Sequence, residues 1–289
     1  MPRSAYQCQV QAFSERIEHE LVAGQLTFPT VMDLSLRIKQ LADAPDTPLD
    51  AIARLLKAEP VVSAKAVRLA NTVGTNPFHA PVTSVDEAVQ RIGLDTLLGL
   101  AFAVSAEQLA KDLRTVELRL VATGLWMHTV DVACWAQAIA RETRTVKPET
   151  ALFAGMMTDI GLFFLLARVA DYPAVTEELE RFAEFAYTWS IPVGRAILES
   201  FHLPDHVLDA YPAREKLYGG TWPPSSLADT VLLATLVAQT PNPFDTLLGV
   251  ERPTLSQAIV TSNVDELHLN AMLAAAETSR NAMLAVVRS

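Results

Sequence analysis

The chain has 289 residues, of which 50% are hydrophobic, so it can bury a sizeable core and lacks the composition of a disordered protein. Its formal net charge of −10, with lysine and arginine scattered along the chain, argues against nucleic acid or an anionic membrane surface as a partner. Cys8 and Cys134 suit neither a disulfide framework nor a cysteine-rich zinc site, and the N-terminus shows no apolar export signal, which together predict a cytoplasmic protein.

The first part of the chain reads as a series of short helices, because apolar residues recur there at helical spacing. The expected boundaries rest on turn and capping residues: a helix over 5–22 ended by Gly24, one from Pro29 to Leu41, one behind Thr47-Pro48, one from Pro60 to about Asn71, one behind the capping box Ser84–Glu87, and one over 95–110 after Gly93.

The second part is also helical. A long helix is expected over 115–142, and later helices follow Pro148, Pro173, Pro192 and Pro204, the loop at 219–224 being the clearest break; the last helices are expected near 225–240, 254–262 and 264–287. No run alternates between apolar and polar residues as a half-buried strand would. The pattern therefore predicts an all-α protein.

The stretch 151–170 is apolar on every face, which is typical of a helix in the middle of a fold. Its length also allows a membrane span, but Asp159 near its centre and Arg168 near its end would be costly in lipid. We therefore expect a buried core helix. In that position the carboxylate of Asp159 needs a partner or a metal ion.

A series of short motifs in this order resembles the landmarks of the HDOD domain. They are Phe28-Pro29-Thr30, Glu59-Pro60, Arg68-Leu69-Ala70-Asn71, Val82 to Ala88 with Ser84 inside it, Ile92-Gly93-Leu94, His128, the stretch to Gly161, and Gly194 to Pro204. The resemblance covers roughly residues 25–240. It implies an HD-domain-like bundle of two packed helical lobes, 25–110 and 111–240, with an N-terminal helix at 1–24 and C-terminal helices at 241–289 packed on it.

The parent HD superfamily hydrolyses phosphate esters at a metal site built from a histidine, a His-Asp pair and a later aspartate. On the resemblance, His128 and Asp159 keep their ligand positions, whereas Thr158 replaces a histidine, and Ser190 and Thr235 stand where related sequences often carry His and Asp or Asn. A hydrolytic site needs at least three protein ligands and an open position for water. The sequence therefore predicts a degenerate site with no catalytic residue, no metal and no cofactor, and a hydrogen-bonded His128–Asp159 pair in its place.

The other landmark residues have structural interpretations. Arg68 and Asn71 are expected in the C-terminal turn of a helix, with Asn71 in the left-handed conformation that asparagine tolerates. Trp222, beside two prolines, is expected to plug a loop, although an exposed tryptophan there could anchor a partner.

Two functions remain open. The HDOD resemblance implies a bacterial regulatory module in signal transduction that binds a protein partner or a ligand. The alternative is a phosphohydrolase that acts on a nucleotide or cyclic dinucleotide through a rebuilt site. This alternative is disfavoured because only two of the usual metal ligands, His128 and Asp159, are present. For a binding module we expect the working surface in a crevice between the two lobes, with a lining less acidic than the whole chain.

Overall fold

The computed structural model describes residues 4–24, 49–57, 59–72, 81–200, 205–211 and 222–288, together with Ile38 and Leu203. Within these ranges the regular structure is entirely helical, as the sequence predicts. The landmark 28–30, the expected helix 29–41 apart from Ile38, and the expected cap at 47–48 lie outside the described residues, as does the first half of the loop 219–224.

The helices of the described ranges, in chain order, are α1 Ala5–Val22, α2 Leu49–Lys57, α3 Pro60–Ala70, α4 Val85–Ile92, α5 Leu94–Asp112, α6 Val116–Thr143, α7 Pro148–Met157, α8 Ile160–Val169, α9 Pro173–Thr176, α10 Leu179–Ser200, α11 Asp205–Leu208, α12 Leu227–Val237, α13 Pro243–Leu247, α14 Leu255–Ser262 and α15 Glu266–Val287.

Helix α6 is the centre of the fold. Its buried residues occupy every face along most of its length, and α5, α7, α8, α12, α13 and α15 all pack against it. One hydrophobic cluster runs from Tyr6 in α1 to Val287 in α15, so both parts of the chain share a core. At the N-terminus, Phe13 of α1 joins that core by stacking on Tyr172 and Phe185. The central helix is thus the one before the apolar stretch 151–170.

The apolar stretch 151–170 is buried, as predicted, but it forms two helices and not one. Helix α7 ends at Met157 and α8 begins at Ile160, because Asp159 leaves the helical conformation with φ −109° and ψ 17°. By length and composition Pro148–Val169 could cross a membrane, yet 89% of its most apolar window is buried in the protein. That burial is what a core element of a folded domain shows. Asp159 therefore lies at a break between helices, which frees local backbone and lets its side chain face inward.

The landmarks around Asn71 and Ser84 hold the backbone of the N-terminal lobe. Asn71 has φ −96° and is not left-handed, contrary to the sequence interpretation. Its carboxamide instead accepts from the Val82 N–H at 2.8 Å and donates to the Val82 carbonyl at 2.7 Å. Ser84 caps α4 by accepting from the Glu87 N–H, while the Glu87 carboxylate accepts from the N–H of Thr83 and not of Ser84. These bonds tie the end of α3 to the start of α4.

Gly93 makes the sharp turn between α4 and α5. It has a φ of +74°, a conformation that side-chain-bearing residues rarely adopt, and the two helices meet at 109° there. Arg68 lies in the last turn of α3, as expected, and Glu59 and Pro60 start that helix, with Pro60 at its first position.

The C-terminal helix α15 lies against both lobes, on α6 of one and on α3 and α5 of the other. Lys65 of α3, a buried lysine, donates to the carbonyls of Val286, at 3.0 Å, and Val287 at the end of α15. Two turns before the end of α15, Arg280 pairs with the buried carboxylate of Asp131 at 3.1 Å. Polar contacts at two points therefore fix this helix across the junction of the lobes.

Candidate functional site

The five positions of the expected metal site lie on four different parts of the fold. His128 is on α6, Thr158 and Asp159 form the break between α7 and α8, Ser190 is on α10 and Thr235 is on α12. The structure brings His128 and Asp159 together in a buried polar centre, in which each residue is 1% exposed. Nε2 of His128 and Oδ2 of Asp159 are 3.7 Å apart, which is too long for the direct hydrogen bond expected from the sequence.

The ring of His128 is oriented by the backbone. Its Nδ1 is 2.7 Å from the carbonyl oxygen of Thr240, in the turn after α12. A carbonyl can only accept, so Nδ1 carries a proton and Nε2 is the nitrogen that faces Asp159. Histidines that bind metals commonly show this orientation, with one nitrogen held by a carbonyl and the other directed at the ion. The chain has kept the geometry of a ligand at this position.

Asp159 is held by neutral donors as well. The hydroxyl of Thr129, next to His128 on α6, shares its one proton between the Leu125 carbonyl at 2.9 Å and Oδ2 at 3.2 Å, and the amide of Asn242 donates to Oδ1 at 3.3 Å. Asn242 is buried and caps α13, since its Oδ1 accepts from the Phe244 N–H at 3.0 Å. Both oxygens of the carboxylate therefore have protein donors, which offset the cost of burying it.

The three hydroxyl positions do not join this centre. Thr158 donates to the carbonyl of Ala154 at 3.3 Å, Ser190 to that of Tyr187 at 3.2 Å, and Thr235 to that of Val231 at 3.0 Å. Each hydroxyl is thus bonded to the backbone of its own helix or of the helix that it ends, a common arrangement for Ser and Thr. None is left to act as a replacement ligand beside Asp159.

Asp131 is a further buried carboxylate that sequence reasoning missed. It lies one turn after His128 on α6, and its Oδ2 accepts from the backbone N–H groups of Gln239, at 2.9 Å, and Thr240, at 2.7 Å. Its other oxygen pairs with Arg280. Asp131 therefore fixes the turn whose carbonyl orients His128. The signal that singled out Asp159, an acidic residue inside an apolar helical run, was equally present here. Asn242 and Thr129 carried no such signal.

A tight packing contact beside the centre accounts for two of the landmark glycines. A Cβ at Gly161 would lie 1.9 Å from the carbonyl oxygen of Ser190, and one at Gly194 would lie 1.8 Å from the hydroxyl oxygen of Tyr211. That hydroxyl donates to the same Ser190 carbonyl at 2.9 Å. Only glycine lets α8, α10 and Tyr211 approach this closely, so Gly161 and Gly194 serve packing.

The residues of the centre do not fit a catalytic divalent metal. A hydrolytic site needs at least three protein ligands. Across the part of the chain that the structure describes, no three His, Cys, Asp or Glu side chains lie close enough together to hold an ion. His128 and Asp159 are two, and their neighbours are an amide donor and a threonine hydroxyl that already donates to the carboxylate. No step of chemistry is derived through a metal here.

An all-helical fold with a histidine and an aspartate facing each other at a helix break defines the class of HD-domain-like proteins. The match to the HDOD domain over residues 28–216 is more specific, and it shows that the chain belongs to the HDOD domain family. The resemblance stated from the sequence is confirmed.

Solved structures share the fold along almost the whole chain. A proposed metal-dependent phosphohydrolase from Shewanella amazonensis SB2B is 20% identical, covers 96% of this chain and 99% of its own, and has a TM-score of 0.67. An HDOD domain protein of unknown function from Geobacter sulfurreducens is 22% identical, covers 93% of this chain and 99% of its own, and has a TM-score of 0.57. The chain matches no curated protein. At these identities the likeness concerns the fold.

Proposed function

We propose that this HDOD protein is a regulatory module that acts in the bacterial cytoplasm by binding a ligand or a protein partner, without metal-dependent hydrolysis. One observation carries the proposal: the only histidine and carboxylate that face each other at the old metal position are held by protein partners, with no third ligand among the described residues. What remains of the site supports the fold. Without hydrolysis, the protein would act by binding a ligand or a protein partner.

The rival function, hydrolysis of a nucleotide or cyclic dinucleotide, has one observation in its favour. Nε2 of His128 faces Asp159 in the orientation of a metal ligand, and a related structure from Shewanella amazonensis SB2B is described as a proposed metal-dependent phosphohydrolase. The small number of ligands counts more against hydrolysis than the orientation of His128 counts for it. Two protein ligands would leave a bound ion largely hydrated and poorly fixed.

Elemental analysis and turnover assays test the proposal. The purified protein, dialysed and then supplied with Mn²⁺, is assayed on p-nitrophenyl phosphate, bis-p-nitrophenyl phosphate and cyclic dinucleotides, with the Asp159→Asn variant as the matched control. We expect less than stoichiometric iron, manganese or zinc, and the same background hydrolysis for both proteins. A bound equivalent of metal together with turnover that is lost in Asp159→Asn would establish the rival.

A further inference from the structure

A cavity of about 460 Å³ lies at the junction of the two lobes, and none of the residues that line it belongs to the centre around Asp159. Its walls come from the ends of α3 and α4 and the start of α5 in one lobe, from α6 and α7 in the other, and from α15 across the junction. A cavity of this size accommodates a drug-sized or mononucleotide-sized molecule. It is also where the sequence led us to expect a crevice.

The charge of the cavity lining differs from that of the chain. Two arginines, Arg91 in the last turn of α4 and Arg141 in the last turn of α6, stand against one carboxylate, Glu149. Two positive charges and one negative charge make the lining net positive, whereas the whole chain carries a formal −10. Both arginines are exposed residues of the lining, one from each lobe, so each can present its guanidinium group to an anion at the mouth of the cavity. Arginine pairs especially well with carboxylate, sulfonate and phosphate groups because its donors form a planar fork.

Two buried polar groups in the lining have hydrogen-bonding capacity to spare. Gln137 is 6% exposed, and its oxygen accepts from the hydroxyl of Ser279 at 2.8 Å, while its amide nitrogen meets no acceptor among the described residues. Thr96 is also 6% exposed, and its hydroxyl has no hydrogen-bond partner in the same part of the chain. Both atoms belong to residues that line the cavity, where each can bond to water or to a polar group of a ligand. Gln137 can donate to that partner, and Thr96 can donate or accept.

The rest of the lining is apolar and supplies a surface for the body of a ligand. Leu69, Ile92 and Leu152 come from the two lobes, and Met283 comes from α15. Small-molecule sites characteristically combine such a surface with a few converging polar groups. The cavity has both parts.

We propose that this inter-lobe cavity binds a small organic anion, a compact apolar body that carries a carboxylate, sulfonate or phosphate group. Arg91 and Arg141 bind the anionic group, Gln137 and Thr96 bond to a polar group of the body, and the apolar side chains pack on the remainder. The inference rests on the proposed function, since such a ligand would be the signal that the module reads. A ligand in this position contacts both lobes and α15, so its binding favours the docked arrangement of all three.

Two fluorescent probes that differ in charge test the site. The anion 8-anilinonaphthalene-1-sulfonate and its neutral analogue N-phenyl-1-naphthylamine share the aromatic body, and only the first carries a sulfonate. Titration of the intact protein should show saturable one-site binding of the sulfonate. The double variant Arg91→Met/Arg141→Met should weaken that binding by at least about tenfold, since each lost charge-assisted bond costs a large part of a tenfold factor or more. Binding of the neutral probe should change little.

The control variant is Arg114→Met, which removes the same charge from an exposed arginine that does not line the cavity. It should leave the affinity for both probes unchanged. A second test variant, Thr278→Glu, places a negative charge on the exposed α15 side of the lining and should weaken the sulfonate alone. Far-UV circular dichroism and urea midpoints identify any variant that does not fold. If one of the two test variants fails to fold, the sulfonate affinity of the other test variant decides whether the proposal holds.

The proposal is overturned if the wild type shows no saturable binding of the sulfonate, or if both the double arginine variant and Thr278→Glu bind it as tightly as the wild type does. Either result would leave the proposed function standing, because that function is decided by metal content and turnover. Conversely, Mn²⁺-dependent hydrolysis with normal probe binding would refute the proposed function and keep the cavity as a ligand site.

Discussion

The centre around Asp159 and the inter-lobe cavity are both polar places in a largely apolar interior, but their polar groups are used differently. In the centre, the carboxylate oxygens, the histidine ring and the Asn242 carboxamide all have protein partners. In the cavity, the amide nitrogen of Gln137 and the hydroxyl of Thr96 have no hydrogen-bond partner among the described residues. The polar groups of the centre therefore bond within the protein, whereas those of the cavity are available to a ligand, as the two proposals above require.

The largest expected effect comes from removing the histidine of the centre. His128→Leu removes the imidazole that faces the buried carboxylate of Asp159 and its bond to the Thr240 carbonyl, and we expect a loss of about 3–5 kcal/mol in the free energy of unfolding. Urea denaturation measures this. For a buried pair, replacing both residues by apolar ones of similar size is often nearly neutral. The structure changes that expectation, because an apolar residue at 159 would strand the Asn242 amide.

The matched double variant is therefore His128→Leu/Asp159→Asn, which keeps an acceptor for Asn242 without the charge. It should be more stable than His128→Leu alone. If His128→Leu leaves the urea midpoint unchanged, the centre is not structural and the comparison fails.

The next effect concerns the close packing beside the centre. Gly161→Ala places a methyl group against the Ser190 carbonyl and should cost about 3 kcal/mol, near the top of the range for overpacking. The control is Gly99→Ala, where the added Cβ would lie 3.5 Å from the Met156 side chain, an ordinary contact. Since alanine favours helices, that variant should be neutral or slightly more stable. Equal urea midpoints for the two variants would show that α8 and α10 have room to separate, and that this region is less closed than we describe.

A smaller effect is expected at the cavity side, where Lys65 fixes the end of α15. Lys65→Met removes the donor to the Val286 and Val287 carbonyls and should cost about 2 kcal/mol. Amide exchange within Glu266–Val287 should accelerate more than in α7, because the two hydrogen bonds of Lys65 go to α15. Uniform acceleration along the chain would mean that α15 and the core unfold as one unit.

The same lysine gives a pH dependence. Burial lowers the pKa of Lys65 below its usual 10.5. The unfolded chain therefore holds that proton more tightly than the folded one, so the contribution of Lys65 to stability is smallest below the folded-state pKa and rises with pH up to about 10.5. The stability difference between the wild type and Lys65→Met should grow in favour of the wild type across that window.

The smallest expected effect concerns the reactivity of Cys134, which tests how far the cavity extends along α6. Cys134 lies on α6 one turn before Gln137, is fully buried, and burial raises its thiol pKa to about 12. Thiolates are the reactive form, so Ellman's reagent at pH 8 should modify Cys8, which is exposed, and spare Cys134 until the protein unfolds. The variant Cys8→Ser should then show no rapid reaction. Rapid modification of Cys134 would mean that the cavity extends further along α6 than its lining residues indicate.

Much of the fold could be predicted from the sequence, because apolar spacing reports which helix faces are buried. The all-helical class, the long α6 and the meeting of His128 with Asp159 all follow from that spacing and from the HDOD landmarks. The break between α7 and α8 could not be predicted this way. A stretch that is apolar on every face has no hydrophobic periodicity, so its pattern does not change where one helix ends and the next begins.

The contacts that complete the centre were beyond sequence reasoning for a different reason. Asn242 is 83 residues from Asp159, and the Thr240 carbonyl that orients His128 is a backbone group with no sequence signature. Asn71 likewise was assigned a conformation from its place at a helix end, whereas its bonds to Val82 decide its role. The cavity depends on where Arg91, Arg141 and Gln137 meet, which only the packing of α4, α6 and α15 determines.

The central claim is that the position of the old metal site is now a closed structural centre, and stability linked to Mn²⁺ tests it most directly. An ion that binds only the folded chain raises the free energy of unfolding, by about 2.7 kcal/mol at a concentration one hundred times its Kd. We predict that urea midpoints of the wild type and of Asp159→Asn respond identically to Mn²⁺ and to Mg²⁺ at matched ionic strength. A Mn²⁺-specific rise in the wild type that is absent in Asp159→Asn would contradict the account.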